Sequence, residues 1–494
     1  ADNGKHQALT NPRTPIARVK DVLNNYEHAL EQTSNPAVIV GLWPGLALDA
    51  VYRIFADSER HSRVFRRIYV IVDSSYCLAG WLKADDRWQL LQRDEIEFYW
   101  HEDLDDLVAG IEADPDRSHN FMPISALSDA RVNGLIEPLT QLYLRRQSQK
   151  DQWRAAAEEY YADLDDDELG RIISGDGHRK PRLMMPTNTA TTVLQYSTRD
   201  TCAAFEKMGW ETHVLKSSRG CTGWRMSKEI NEFRPDVFLF IDHLRTESGA
   251  ETYPTGMLFV TWLQDSMTDI CNREAAAKWN AAVDGRNRDL IIGYIGQLKP
   301  FGYRDDRLVD IPMIVNPDIF RPRELTAEQK ETYGCDVMFA SNSGAPTDER
   351  IDEITREFDA RGLNCPPGLI QHLHDHLWQQ YRAGRTFTSY DQLRRELAKL
   401  DGLGDWFAGL AEDDQAYVIQ KLFWRLNDII YRHVVIEWLD DYAQSHPDFK
   451  LHLYGEGWDR HPRFSQYHQG TLEHGEELSI AYQAAGHCLH LNSM

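Results

Sequence analysis

Strand-length apolar runs that alternate with helix-forming stretches constrain this chain more than any other feature. Ala37-Val38-Ile39-Val40, Ile68-Tyr69-Val70-Ile71-Val72 and Ile96-Glu97-Phe98-Tyr99-Trp100 form a first set, preceded by a helical pattern over 20–32. Arg182-Leu183-Met184-Met185, His213-Val214-Leu215, Val237-Phe238-Leu239-Phe240-Ile241 and Met257-Leu258-Phe259-Val260-Thr261-Trp262 form a second. Several are continuously apolar, as strands covered by helices on both faces must be. Strands that alternate with helices predict an α/β fold with parallel sheets. Ile311-Pro312-Met313-Ile314-Val315-Asn316-Pro317 predicts a strand leaving one domain. Asp336-Val337-Met338-Phe339-Ala340 and Lys450-Leu451-His452-Leu453-Tyr454 predict strands of the next, interrupted by a helical insertion over 363–442.

At 494 residues the chain exceeds one ordinary core, and about three domains are expected. The expected division is a Rossmann-like domain over 1–150, a helical linker over 151–180, and two further α/β domains over 181–325 and 326–494. The acidic run Asp163-Leu164-Asp165-Asp166-Asp167-Glu168 falls in the linker and reads as a solvated face, although it contains a formal DxD. No apolar run approaches the roughly 18 to 20 residues of a bilayer span. The first residues, Ala1-Asp2-Asn3-Gly4-Lys5, do not read as a secretory leader. A net charge of -23 opposes a polyanionic partner, so nucleic acid is not expected. Seven scattered cysteines without a CxxC pair fit a reducing compartment without a structural zinc site, and the expected location is cytoplasmic.

Carboxylates stand where α/β sheets do chemistry. Asp242 and Asp265 lie just past the ends of two apolar runs, and ligand crevices of open sheets lie at the carboxyl ends of strands. Asp242-His243-Leu244-Arg245 and Thr261-Trp262-Leu263-Gln264-Asp265 thus supply a base candidate and a cation. A structural alternative has Asp265 capping a helix and Asp242 binding backbone amides. Thr191-Thr192-Val193-Leu194-Gln195-Tyr196 opens a helix with hydroxyls and free N–H groups that suit a hydroxyl-rich or anionic ligand, or simply cap the helix. Small residues at Ser341-Asn342-Ser343-Gly344 permit close backbone approach to a ligand, with a ligand-free helix cap as the alternative.

Taken together, these motifs over about 181–494 resemble the CgeB-type, spore-maturation-protein-like glycosyltransferases of the GT-B fold. Asn316-Pro317-Asp318-Ile319-Phe320-Arg321-Pro322 is similar to the crossover joining the two halves of many such enzymes, with Phe320 as its anchor. Leu453-Tyr454-Gly455-Glu456-Gly457-Trp458, then Gly470-Thr471-Leu472, Glu476-Glu477-Leu478 and Leu489-His490-Leu491-Asn492, resembles the donor-nucleotide half. The resemblance implies tandem Rossmann-like domains in a GT-B arrangement. It implies metal-independent transfer of a sugar from a UDP- or GDP-linked donor to a hydroxyl of a protein or glycan, with no other cofactor and no metal ligand. It further implies Asp265 as base with His243 second, Asp242 beside them, and Arg245 on the departing diphosphate. Thr191, Thr192, Gln195 and Tyr196 line the acceptor side. Ser341, Asn342, Ser343, Gly455, Gly457, Trp458, Gly470, Glu477 and Asn492 fall on the donor side. The family continues beyond the point matching Met494 with a glutamate- and glycine-containing segment, so a truncated donor half is expected.

The N-terminal set, Val38-Ile39-Val40-Gly41-Leu42-Trp43-Pro44-Gly45 with Asp73 after the next run, loosely resembles S-adenosylmethionine-type Rossmann domains and modules of flagellin-modification proteins. It implies methyl transfer by this domain as an alternative activity, or a non-catalytic nucleotide-fold scaffold as another. Trp43 and Pro44 crowd the glycine turn, which favours a structural or acceptor-recruiting role. His372, His374 and His376 put only the i, i+4 pair on one helix face, and no glutamate completes an HExxH pattern. Trp378, Trp406 and Trp424 of the insertion read as core residues.

Overall fold

A computed structural model of the chain describes residues 35–42, 46–62, 67–84, 88–118, 120–124, 129–189, 192–217, 221–247, 252–265, 267, 269–285, 287–312, 314–344 and 347–491. The helix expected over 20–32 and the turn residues Trp43, Pro44 and Gly45 lie outside them. Among the described residues the architecture is α/β with three sheets. Strands β1 (Ala37–Val40), β2 (Ile68–Val72), β3 (Ile96–Trp100) and β4 (Met122–Ile124) form a parallel sheet in the order β3-β2-β1-β4. Alternate residues of its strands enter different cores. Ala37, Ile39, Ile68 and Val70 pack on one face, and Val38, Val40, Tyr69 and Ile71 on the other. Both faces are therefore covered by helices, which is why these strands are apolar throughout.

The second sheet holds β5 (Arg182–Asn188), β6 (Glu211–Ser217), β7 (Val237–Ile241), β8 (Leu258–Leu263), β9 (Arg288–Gly293) and β10 (Leu308–Asp310), in the order β10-β9-β8-β7-β5-β6. Strand order reverses between β5 and β7, the kind of position at which open α/β sheets bind ligands. The third sheet holds β11 (Val337–Ala340), β12 (Leu451–Tyr454) and β13 (His487–Cys488), in the order β12-β11-β13 and again parallel. Between β11 and β12 the chain builds a helical insertion from Leu369–Arg382 to Asp428–Ser445, with its own core around Leu373, Leu377, Leu393, Phe423 and Val434. Trp378, Trp406 and Trp424 pack against that core, as expected of them.

The expected strand over 311–317 is corrected: β10 ends at Asp310, and Ile311, Pro312 and 314–316 are not in a strand. Ile311 still donates its N–H to the Gly293 carbonyl at 3.1 Å. Pro312 has no N–H with which to continue the ladder, and Ile314 and Val315 stand exposed. The Asn316–Pro322 stretch instead forms a turn in which Asn316 Oδ1 accepts the Asp318 N–H at 3.0 Å. Ser479 of helix Glu476–Ala484 donates to the Ile319 carbonyl at 2.9 Å, and the Phe320 ring lies 5.5 Å from His474.

The chain divides into two compact units. One runs up to Phe240 and includes Glu247–Val260 and Arg286–Arg288; the other comprises Ile241–Thr246, Thr261–Gly285 and the chain from Asp289 onward. Among the described residues no helix is long and apolar enough to cross a membrane.

Candidate active site

The site is built where β7 and β8 end. Asp242, directly after β7, adopts φ +55°, a left-handed conformation that aspartate tolerates better than most residues. Its N–H donates to the Trp262 carbonyl at 3.1 Å, which keeps the turn tied to β8. Its carboxylate Oδ1 accepts the N–H groups of Gln264 at 2.8 Å and Asp265 at 3.1 Å. Thr261 donates its hydroxyl to the His243 carbonyl at 2.8 Å, a second stitch between the same two loops. Asp242, His243 and Asp265 are thereby brought together, and the amide-binding alternative for Asp242 is what its geometry performs.

Electrostatics follow from that packing. Asp242 is buried, and loss of water pushes its carboxyl up to about 6. The two amide bonds and nearby His243 oppose that shift, while Asp265 adds repulsion. Asp265 is exposed at the surface. Surrounding protein atoms still exclude enough water to raise its carboxyl above the usual aspartate range. The pair therefore holds protons more strongly than free aspartates do. Asp265 caps no helix among the described residues; helix Arg273–Asp284 is capped by Asn272.

Arg245 is placed differently from what the resemblance implied. Its side chain is 5% exposed, and its Nε donates to Asp289 Oδ1 at 2.7 Å. Asp289, in β9, is fully buried; burial raises its carboxyl while Arg245 and Arg307 oppose the rise, and its Oδ2 accepts no hydrogen bond from the described residues. A guanidinium so committed is held inside the protein instead of facing solvent, unlike its expected place on a departing diphosphate. No family model, curated protein or solved structure matches this chain.

The donor-side residues converge at the ends of β11 and β12. Ser341 N–H donates to the Tyr454 carbonyl and Ser343 N–H to the Glu456 carbonyl, each at 2.9 Å, so the two loops continue the ladder beyond the strands. Asn342 Oδ1 accepts the Glu456 N–H at 2.9 Å. Gly455, at φ +127°, and Gly457, at φ +88°, let the loops meet: a Cβ on Gly455 would stand 2.6 Å from the Ser341 carbonyl oxygen. Gly455 also donates its N–H to the Gly470 carbonyl at 2.9 Å. Trp458 is fully buried against Phe339 and Phe464, and its indole N–H is spent on the Ser341 carbonyl at 2.7 Å. That corrects its expected role as a ligand contact: it anchors the loop. Glu477 accepts the Tyr333 hydroxyl at 3.1 Å and the Glu473 N–H at 2.7 Å, so both carboxylate oxygens hold this end of the unit together.

Asn492 and Thr191 lie outside the described residues. Thr192 opens helix Thr192–Lys207. Gln195 and Tyr196 are half-buried on its first turns, with the Arg199 guanidinium 4.8 Å from the Tyr196 ring centroid. Of the three histidines His372, His374 and His376, His374 pairs with Asp375 and His376 with Glu396. Sequence reasoning missed Asp289, which with Arg288 puts two charges at the start of β9. It also missed Arg432 and His433 of the insertion, which lie in no motif.

Proposed function

We propose that this chain transfers a sugar from a nucleotide-sugar donor to a hydroxyl acceptor, with Asp265 as the general base. The observation that carries the reading is the pairing of Asp242 and Asp265 at the carboxyl ends of β7 and β8. One carboxylate is buried and fixes the loop; the other is exposed and has a raised proton affinity. Attack of the acceptor oxygen on the anomeric carbon forms one C–O bond and breaks the bond to the diphosphate. In a transfer with inversion the acceptor proton passes to the Asp265 carboxylate, and a base whose pKa lies closer to neutrality performs that step better. Asp242 holds the Asp265 N–H and orients it; His243, half-buried on the same turn, is the second candidate base. The tandem parallel sheets and the loop pair at β11 and β12 support a nucleotide-linked donor, UDP- or GDP-based, and the acceptor class is a protein or glycan.

Calorimetric titration with UDP, GDP and their common sugar conjugates tests the donor, and a transfer assay on Asp265→Asn tests the base. Saturable binding with turnover lost in the variant is expected. Unchanged turnover sinks the assignment of Asp265, and silence across the nucleotides sinks the transfer reading.

A second reading rests on the first sheet, whose order β3-β2-β1-β4 is that of one half of a dinucleotide-binding fold. Asp73 follows β2 directly, where such folds bind ribose hydroxyls. Saturable binding of S-adenosylmethionine that Asp73→Ala abolishes would favour it, and no binding removes it.

A further inference from the structure

Three successive carbonyl oxygens of the β11 loop each accept a hydrogen bond from a side chain. Trp458 Nε1 donates to Ser341 at 2.7 Å, Arg432 Nη1 to Asn342 at 2.6 Å, and His433 Nε2 to Ser343 at 2.9 Å. Two of these donors come from one place, helix Asp428–Ser445, the last helix of the insertion. A carbonyl only accepts, so His433 must carry its proton on Nε2. It is buried and meets the rings of Trp378, Trp458, His461 and Phe464. Burial pushes its pKa down to about 4, so it stays a neutral donor at physiological pH. Arg432 is braced from the preceding turn by Asp428 at 3.1 Å.

The helix reaches this position through a π-helical turn over Phe423–Asn427. There buried Asn427 donates to the Phe387 carbonyl at 3.1 Å and accepts the Tyr381 hydroxyl at 2.7 Å. A π turn adds a residue to the helical register and rotates the remainder of the helix by about 100° relative to an unbroken α-helix. Arg432 and His433, side by side in sequence, both reach the loop. In a planar trans peptide the N–H opposes the carbonyl. Anchoring the Ser341 and Ser343 carbonyls therefore turns the N–H groups of Asn342 and Gly344, both exposed residues, away from the anchors.

We propose that His433, with Arg432 beside it, is a positioning residue for the diphosphate of the donor: the insertion clamps the β11 loop in the one conformation that presents its backbone to the phosphate oxygens. This rests on the sugar-transfer reading. A loop ordered before binding loses less conformational entropy when the ligand arrives, so the clamp acts on donor affinity more than on the chemical step.

The test titrates the full chain with UDP and with GDP, and follows amide hydrogen exchange over residues 340–344 without ligand. His433→Phe keeps the ring and removes the donor; His433→Gln restores an N–H of similar reach. The expected result is about tenfold weaker nucleotide binding and faster loop exchange in His433→Phe, with His433→Gln near wild type. In the transfer assay the KM for donor rises while kcat changes little. If His433→Phe does not fold, Arg432→Leu removes the neighbouring donor and the same changes are expected. Wild-type affinity or unchanged loop exchange in the folded variant overturns the clamp and leaves the transfer reading standing. Absence of nucleotide binding by the wild-type chain overturns both.

Discussion

The loop pair after β7 and β8 and the loop pair after β11 and β12 use the same device with different chemistry. In the first, the Asp242 side chain reaches across to take the N–H groups of Gln264 and Asp265. In the second, the Asn342 side chain reaches across to take the N–H of Glu456. Each oxygen holds the loop of the neighbouring strand. The asparagine does so without charge, whereas burial of the aspartate raises its pKa to about 6. Holding a loop therefore does not require a carboxylate. A charge at Asp242 stands beside Asp265, whose N–H it holds and whose negative charge adds to the rise of the Asp242 carboxyl. The other pair spends its polar groups on rigidity, with Trp458, Arg432 and His433 drawing its carbonyls inward.

The difference breaks most sharply at Asp265. Asp265→Asn should lower transfer by about a thousandfold, the scale of a lost general base, with the thermal midpoint unchanged. A folded variant that retains turnover would reduce the first pair to another structural stitch. The next effect falls on the second pair. Gly455→Ala combines an unfavourable positive φ with a Cβ against the Ser341 carbonyl, and should destabilise the protein by about 3 kcal/mol in urea unfolding. Stability within error of wild type would show that the loops do not depend on this close approach.

The smallest effect sharpens the comparison directly, by making Asp242 resemble Asn342. A carboxyl with a raised folded-state pKa binds more protons in the native state than in the unfolded state. It therefore costs stability progressively as pH rises from about 4 through about 6, and the full cost is present above that. Asp242→Asn keeps an oxygen for the two amides and removes the charge. The variant should be more stable than wild type by about 2 kcal/mol at pH 8, with the difference vanishing toward pH 4. Parallel stability profiles for the two proteins across that range would refute the proton linkage.

Much of the fold was legible because of where the strands lie. β1, β2, β7 and β11 fall on continuously apolar runs, since both faces of these strands are covered and leave no polar alternation, while β3 and β12 fall on runs that admit Glu97 and His452. β4, β10 and β13 are only three, three and two residues long, too short to carry a pattern. β9 was hidden by Arg288 and Asp289 at its start. Asp242 and Asp265 could be singled out because they follow recognisable strands. Their division of labour could not, because it depends on which of them the folded chain buries. Gly455 and Gly457 stood out as glycines, but the partners that require them lie more than a hundred residues earlier.

The sequence by itself determined the parallel α/β class, the helical insertion and the position of acidic residues at strand ends, because these depend on local periodicity and the chain's own punctuation. Tertiary structure decided that Arg245 is absorbed by Asp289, that Trp458 is an anchor and that His433 donates to Ser343. Those roles arise from burial and from hydrogen bonds between residues 44, 117 and 90 positions apart, separations at which the partner is chosen by packing and not by sequence neighbours.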